Sequence, residues 1–303
     1  MINVEEVAER TYRLKVLIPK VNNTFTVYLI HETKGVLIEP GPTATVPSIQ
    51  EGMKQLGMKE LTYIIPTHIH VDHAGATGSL AQLFPQAKVV LHPVAAKHAV
   101  DPTRLIESTK MAFGDDFEDY YGPILPVPES QVEVPSDGET ISIDGRELQI
   151  IHTPGHATHQ IAIFDRKTRG LFCGEALGLP HAGAESSPLP AAAPPSFDIE
   201  VYLKTMERLR ELRPRILFYS HDGIGRKPEE LISRAAENTK VFGDIILKAL
   251  RKGETTEAIQ HRVRERISRR LGTNVEGMDV EMTIKGFIFY FKRRANEGGK
   301  QNV

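Results

Sequence analysis

Leu61-Thr62-Tyr63-Ile64-Ile65-Pro66-Thr67-His68-Ile69-His70-Val71-Asp72-His73-Ala74-Gly75 is the stretch on which the reading of this chain turns. Leu61–Ile65 is an apolar run of strand character, Pro66 ends it, and a helical pattern follows over Gly75–Leu83. Between the two, His68, His70, Asp72 and His73 place four metal-competent side chains within six residues. Residues two apart in an extended segment face the same way, so His68 and His70 can grip one ion. Asp72 and His73, on the turn entering the helix, point elsewhere and can serve a second. A lone His-x-His is weak evidence, because histidines hydrogen-bonded within a core are common; four such groups at the end of a strand select metal chemistry over a structural role.

Composition narrows the chemistry. The 303 residues contain one cysteine, Cys173, which forbids an intrachain disulfide and any multi-cysteine zinc or iron–sulfur site. Metal binding then falls to imidazole and carboxylate, and the chain has twelve histidines to draw on. With 40% hydrophobic and 25% charged residues the chain reads as ordinary and globular, so fibrous and low-complexity classes fall away. The net charge of -2 argues against a surface built wholly for nucleic acid, although Lys248–Val303 carries +6 against -8 for the remainder. Met1–Lys15 is charged and lacks an apolar targeting segment, and Ala176–Phe197 is too broken by Pro180, Pro188, Pro190, Pro194 and Pro195 to be a membrane helix. The expectation is a cytoplasmic protein with no membrane partner, in which Ala176–Phe197 forms a long surface loop.

Working outward, short strand-like runs occupy the first two thirds: Thr24–Ile30, Gly35–Ile38, Leu61–Ile65, Lys88–Leu91, Ile141–Ile143, Glu147–Ile151, Gln160–Phe164 and Gly170–Cys173. Helical patterns at Thr45–Leu56, Gly75–Leu83 and a pair within Pro93–Asp119 lie between them. Asp137-Gly138 and Asp144-Gly145 predict consecutive hairpins over Val132–Ile151. After Phe197 come a helix over Ile199–Leu212, a last strand at Arg215–Tyr219, and helices over Pro228–Arg251, Thr255–Leu271 and Asp279–Arg294. Val280, Ile284, Phe287, Ile288 and Phe291 recur at helical spacing as a core-facing stripe.

The His68–His73 string resembles the His-x-His-x-Asp-His signature of the metallo-β-lactamase fold superfamily. Three later segments match the order that family would require: Thr153-Pro154-Gly155-His156, Cys173-Gly174-Glu175, and Ser220-His221-Asp222. The resemblance implies an αββα sandwich, an α+β fold, over residues 1–227, with residues 228–303 as a helical extension. It implies two divalent transition metal ions, zinc by default with iron or manganese as alternatives. His68, His70 and His156 would hold one ion, Asp72, His73 and His221 the other, with Glu175 between them. The family usually has Asp where Glu175 stands, and Asp where Glu39 closes an earlier strand. Cys173 reads as a buried strand residue beside Glu175.

Both ions would keep open positions, the pattern of catalysis and not of a closed structural site. Two such cations lower the pKa of a shared water toward ~7, and the resulting metal-bridging hydroxide would attack a small ester, thioester or lactone carbonyl. Asp72 would ligate and also orient the nucleophile or pass its proton, which makes it the catalytic residue. The alternatives are a phosphodiesterase or small ribonuclease guided by the basic tail, and a non-catalytic metal-binding sensor. Gly178, three residues after Glu175, departs from the tyrosine of the family's acyl-homoserine lactonases, and no basic glutathione-binding pattern is evident in the helical tail. A small-molecule substrate is expected, nucleic acid is not, and a homodimer through the C-terminal helices would be unsurprising. His159, His181 and Tyr120 are candidates for substrate contact; His152 reads as structural or supporting.

Overall fold

The computed structural model describes residues 2–18, 20, 23–180, 187–221, 223–272 and 274–299. By compactness they form two units that do not follow a single cut in the sequence. The first comprises Met1–His152, His159–Gly174 and Pro214–Arg226; the second comprises Thr153–Thr158, Glu175–Arg213 and Lys227–Val303.

The first unit contains two sheets. One runs, in spatial as in sequence order, through β1 (Val4–Ala8), β2 (Thr11–Ile18), β3 (Asn23–His31), β4 (Gly35–Ile38), β5 (Leu61–Ile65), β6 (Lys88–Val90) and β7 (Val132–Glu133). The other is built from β8 (Thr140–Ile143), β9 (Arg146–His152), β10 (Ile161–Asp165), β11 (Gly170–Gly174), β12 (Ile216–Tyr219) and β13 (Ile224–Gly225), again in consecutive order. Helices α1 (Val46–Gln55), α2 (Val71–Ala74), α3 (Thr77–Leu83), α4 (Pro93–Val100), α5 (Thr103–Phe113) and α6 (Phe117–Tyr121) connect the strands of the first sheet.

Period-2 geometry splits each central strand between two cores. In β3, Val27 and Leu29 pack with Ile49 and Met53 of α1, Leu80 of α3 and Ala95 of α4. Tyr28 and Ile30, on the opposite face, pack with Ile150, Ile161, Phe172 and Phe218 of the second sheet. β4 divides likewise, with Leu37 on the helix side and Val36 and Ile38 between the sheets. Burial on both faces is why these strands read as continuous apolar runs. Each such buried aliphatic side chain contributes roughly 1.5–3 kcal/mol of transfer free energy. Arg146 crosses the inter-sheet space: its guanidinium bonds both Asp165 oxygens (3.2 and 2.6 Å), Glu32 (3.2 Å), the Thr11 hydroxyl (2.7 Å) and the Glu9 carbonyl (3.1 Å).

The second unit contains α7 (Ile199–Glu211), α8 (Pro228–Arg251), α9 (Thr256–Leu271) and α10 (Met278–Gly299). α8 packs on the other three. The Val280, Ile284, Phe287 and Ile288 stripe is buried, and the Phe287 ring lies 6.0 Å from Phe242 of α8 and 4.8 Å from Phe197. The two-sheet mixed fold with a helical C-terminal region is as expected. No helix among the described residues is long and apolar enough to cross a membrane.

Several local expectations need correction. β1 and β2 were absent from the predicted strands because their exposed faces carry Glu5, Glu6, Arg13 and Lys15, which masks the alternation. The predicted helical pair within Pro93–Asp119 is three helices, with Gly114 at φ +99° separating α5 from α6. Val132–Ile151 is not a run of hairpins. β7 pairs in parallel with β6 in the first sheet, and only Asp144-Gly145 closes a hairpin, between β8 and β9. The described parts of the expected Ala176–Phe197 surface loop, residues 176–180 and 187–197, go largely inside: Ala176, Leu177, Leu189, Ala191, Ala192 and Phe197 are buried within the second unit, where Asn238 of α8 and Thr283 of α10 donate to the Pro188 and Pro190 carbonyls.

Candidate metal centre

In the first unit the ligand-bearing turn leaves β5 at Pro66 and enters α2, for which His70 is the N-terminal flanking residue. His68 Nε2 and His70 Nδ1 lie 2.9 Å apart, so two ring nitrogens converge on one point. Asp72 Oδ2 sits 3.3 Å from His73 Nε2 and 3.5 Å from His221 Nε2, and the three ligand atoms fall within 4.8 Å of one another. Ligands bound tetrahedrally at 2.0–2.2 Å are separated by about 3.3–3.6 Å. The Asp72–His73–His221 trio therefore has the spacing and the nitrogen–oxygen donor set of a divalent transition ion. The His68–His70 pair must part slightly to take one.

His221 follows β12, and the turn that presents it is fixed from β3. The Thr26 N–H donates to the Ser220 carbonyl (3.0 Å), and the buried Tyr28 hydroxyl lies 2.7 Å from the Tyr219 carbonyl and 3.0 Å from that of Gly223. Burial acts to raise the Asp72 carboxyl, but the neighbouring His73 and His221 imidazoles outweigh it and hold the group well below the usual carboxylate range. His73 is the reverse case. Burial opposes its charge, yet Asp72 and Glu39 raise its pKa well above the ordinary histidine value.

Glu39 supports the histidines. It is buried, and its backbone adopts φ +58°, a left-handed conformation uncommon outside glycine. One carboxylate oxygen takes the His73 Nδ1–H and the other accepts the Thr67 N–H at 2.9 Å, leaving His73 Nε2 to face Asp72. The Thr67 hydroxyl in turn meets His68 Nδ1 at 3.1 Å. Gly174 must be glycine here, since at its φ of +51° a Cβ would lie 2.5 Å from Thr67 Oγ1. The sequence named Glu39 only as standing where the family has Asp; its bond to His73 spans 34 residues and left no local signal.

The second unit holds the other two expected ligands. His156 Nε2 and Glu175 Oε2 are 2.7 Å apart. The His156 Nδ1 faces the Ala191 carbonyl at 3.1 Å, and since a carbonyl only accepts, Nδ1–H donates to it and Nε2 is the nitrogen that faces Glu175. The buried Tyr202 hydroxyl of α7 donates to the Glu175 backbone carbonyl at 2.7 Å. Gly155 lets that helix close in, because a Cβ there would meet the Tyr202 backbone at 2.5 Å. Tyr202 and Ala191 were not among the expected site residues, and nothing local in their sequence marks them.

Among the other candidates, His159 belongs to the first unit, its ring 6.2 Å from His68 and 5.9 Å from His70. His152 is structural: its Nε2 meets the Pro135 carbonyl at 3.2 Å and its ring lies 4.3 Å from His92. Tyr121 packs between Phe25 and Phe113, while the Tyr120 hydroxyl bonds Asp116 at 2.6 Å. Cys173 is fully buried, its thiol donates to the Phe218 carbonyl at 3.4 Å, and burial pushes its pKa up, so it is a strand residue and no nucleophile. His181 lies outside the described residues.

The sequence profile of the metallo-beta-lactamase superfamily matches residues 21–221. A metallo-beta-lactamase fold-containing protein of Sulfurisphaera tokodaii is 27% identical over 203 residues, 66% of this chain and 73% of that one. A hydroxyacylglutathione hydrolase of Aeromonas hydrophila is 27% identical over 163 residues, 54% of this chain and 50% of its own length. In fold, a metallo-beta-lactamase family protein of Thermus thermophilus superposes with a TM-score of 0.72 at 20% identity, over 96% of this chain and 95% of that one.

Proposed function

The chain belongs to the metallo-beta-lactamase superfamily and is a metal-dependent hydrolase, and we propose that it cleaves a small ester, thioester or lactone at a centre of two zinc ions. His68, His70 and His156 are proposed as ligands of one ion and Asp72, His73 and His221 of the other, with Glu175 serving both. The observation that carries the reading is the Asp72 carboxylate flanked by two imidazole Nε2 atoms at metal-ligand spacing. Iron or manganese would suit the same mixed donor set.

When bound, the ions supply Lewis acidity and a water acid enough to lose its proton near neutral pH. The protein's own part is positional and protonic. Glu39 engages Nδ1 of His73 and the Ala191 carbonyl engages Nδ1 of His156, which turns the Nε2 atom of each ring toward the proposed ligand cluster. The Asp72 carboxylate, held ionised by its imidazole neighbours, is placed to ligate and to accept a hydrogen bond from the attacking water, orienting it and passing its proton toward the leaving oxygen or sulfur. In balance, the acyl carbon loses its bond to the leaving group and gains one to the water oxygen.

The phosphodiester alternative has less behind it, because four of the five α9 arginines are paired with glutamates: Arg262 with Glu254, Arg264 with Glu281, Arg269 with Glu265 and Arg270 with Glu237. Protein purified without chelator should contain two transition metal ions per chain and hydrolyse members of an ester, thioester and lactone panel. Stripping the metal should abolish that activity and zinc should restore it. Less than one ion per reconstituted chain would sink the two-ion centre, and turnover of RNA or a phosphodiester in place of the acyl panel would overturn the substrate class.

A further inference from the structure

Inside the second unit, residues 188–192 are held through their backbone by side chains of two helices. On α8, the Asn238 amide donates to the Pro188 carbonyl and the Ser187 hydroxyl, both at 2.8 Å. On α10, the Thr283 hydroxyl donates to the Pro190 carbonyl at 2.9 Å and lies 3.5 Å from the Ala192 N–H, which donates to it. One turn further along α10, Gly286 admits the Ala192 carbonyl so closely that a Cβ would meet it at 2.4 Å. Ala191, between the two residues that Thr283 holds, offers its carbonyl to His156 Nδ1 at 3.1 Å and its N–H to the Tyr202 hydroxyl at 3.4 Å. Tyr202 passes the constraint on to the Glu175 carbonyl.

We propose that α10 of the helical extension acts as the positioning element for the His156 and Glu175 ligands, through a strap at residues 188–192 on which Thr283 and Gly286 are the decisive contacts. A backbone carbonyl cannot be mutated away, so the orientation and tautomer of His156 depend on whatever fixes the peptide that carries it. Thr283 fixes that peptide from both sides, and Gly286 sets how near the helix can come. The basic helical tail is thereby tied to the chemistry of the site and is more than an appended surface. This inference rests on the metal-centre reading above, since His156 needs positioning only if it binds an ion.

The test uses the full-length protein and Zn2+ as the probe, titrated against a competing chelator. Thr283→Val keeps the branched shape and removes both hydrogen bonds; Thr283→Ser keeps the hydroxyl; Gly286→Ala pushes on the Ala192 carbonyl from an unaltered Thr283. The expected result is that Thr283→Val and Gly286→Ala each weaken one of the two zinc equivalents by roughly 10–100-fold and leave the other unchanged, with Thr283→Ser restoring wild-type affinity. Hydrolytic kcat should fall with that equivalent and be recovered by excess zinc, which a merely destabilised fold would not show. Should Thr283→Val fail to fold, Gly286→Ala and Thr283→Ser decide the matter by the same titration. Wild-type zinc affinities in the folded variants overturn the strap while leaving the hydrolase reading intact. A wild-type chain that binds no zinc overturns both.

Discussion

Two polar clusters of the first unit, one buried around Arg146 and one partly buried around Asp72, differ in how their atoms meet. Around Arg146, donors meet acceptors: five guanidinium hydrogen bonds run to two carboxylates, a hydroxyl and a carbonyl. Around Asp72, the polar atoms face a shared point, with nitrogen opposite nitrogen at His68–His70 and one carboxylate oxygen between two imidazoles. The first cluster is complete as protein and stabilises the sheet pair. The second has the donor set of a cation site, and Glu39, which is not itself one of the proposed ligands, supplies the outward-facing hydrogen bond that keeps one imidazole aimed inward. Burial alone therefore does not distinguish structure from function; the complementarity of the atoms does.

The sharpest way to break this contrast is at Asp72. Asp72→Asn should lower turnover by roughly 10²–10⁴-fold with the fold intact by circular dichroism, because a carboxamide can neither ligate as an anion nor carry the proton. At Arg146 the effect should fall on stability. Arg146→Ala removes the cation from the buried Asp165 and leaves Glu32 with only Arg10 and Lys167 near its rim, and should cost about 3–5 kcal/mol in urea unfolding, while zinc bound per folded chain stays at the wild-type value. If zinc were lost in that variant, the two clusters would be one network and the contrast would collapse.

Glu39→Gln sharpens the comparison on the site's side. It keeps the shape but removes the charge behind His73, so zinc affinity by chelator competition should drop by roughly 10–100-fold. An unchanged affinity would make Glu39 a folding residue and nothing more.

The smallest effect lies away from both clusters, at His92. Its Nδ1 accepts the Val94 N–H at 3.1 Å and caps α4, and burial, with His152 alongside, lowers its pKa to about 4. The unfolded chain, near 6.5, takes up the proton first. The His92 contribution should therefore be constant above about pH 6.5, decline as pH falls from there toward 4, and level off below. Thermal unfolding across that range should show a shallower acid decline for His92→Asn, which can cap without titrating. Equal slopes would remove His92 from the account.

Legibility in the sequence followed the separation of the interacting residues. The Pro228–Arg251 helix has the predicted bounds because its signals, a proline at the start and an apolar stripe, are local. The β5–α2 turn was legible for the same reason, all four donors falling within six residues. β1 and β2 were not, because Glu5, Glu6, Arg13 and Lys15 interrupt their apolar residues. β7 was assigned to the wrong partner, since a turn signal says where a chain bends but not which sheet it bends toward.

By itself the sequence determined the family, the two-sheet mixed fold and the donor types of the candidate site, since strand period, residue chemistry and short spacing are properties of neighbouring residues. Tertiary structure decided what surrounds the ligands. Glu39 behind His73, Tyr28 under the His221 turn, and the Ala191 carbonyl behind His156 join residues 34, 191 and 35 positions apart respectively. A backbone carbonyl leaves no mark in the identity of its residue, so its role emerges only when packing brings it to a ring nitrogen. Likewise the prolines of residues 187–197 forbid a helix, but that the stretch goes inside depends on distant partners such as Asn238 and Thr283, which donate to its Pro188 and Pro190 carbonyls.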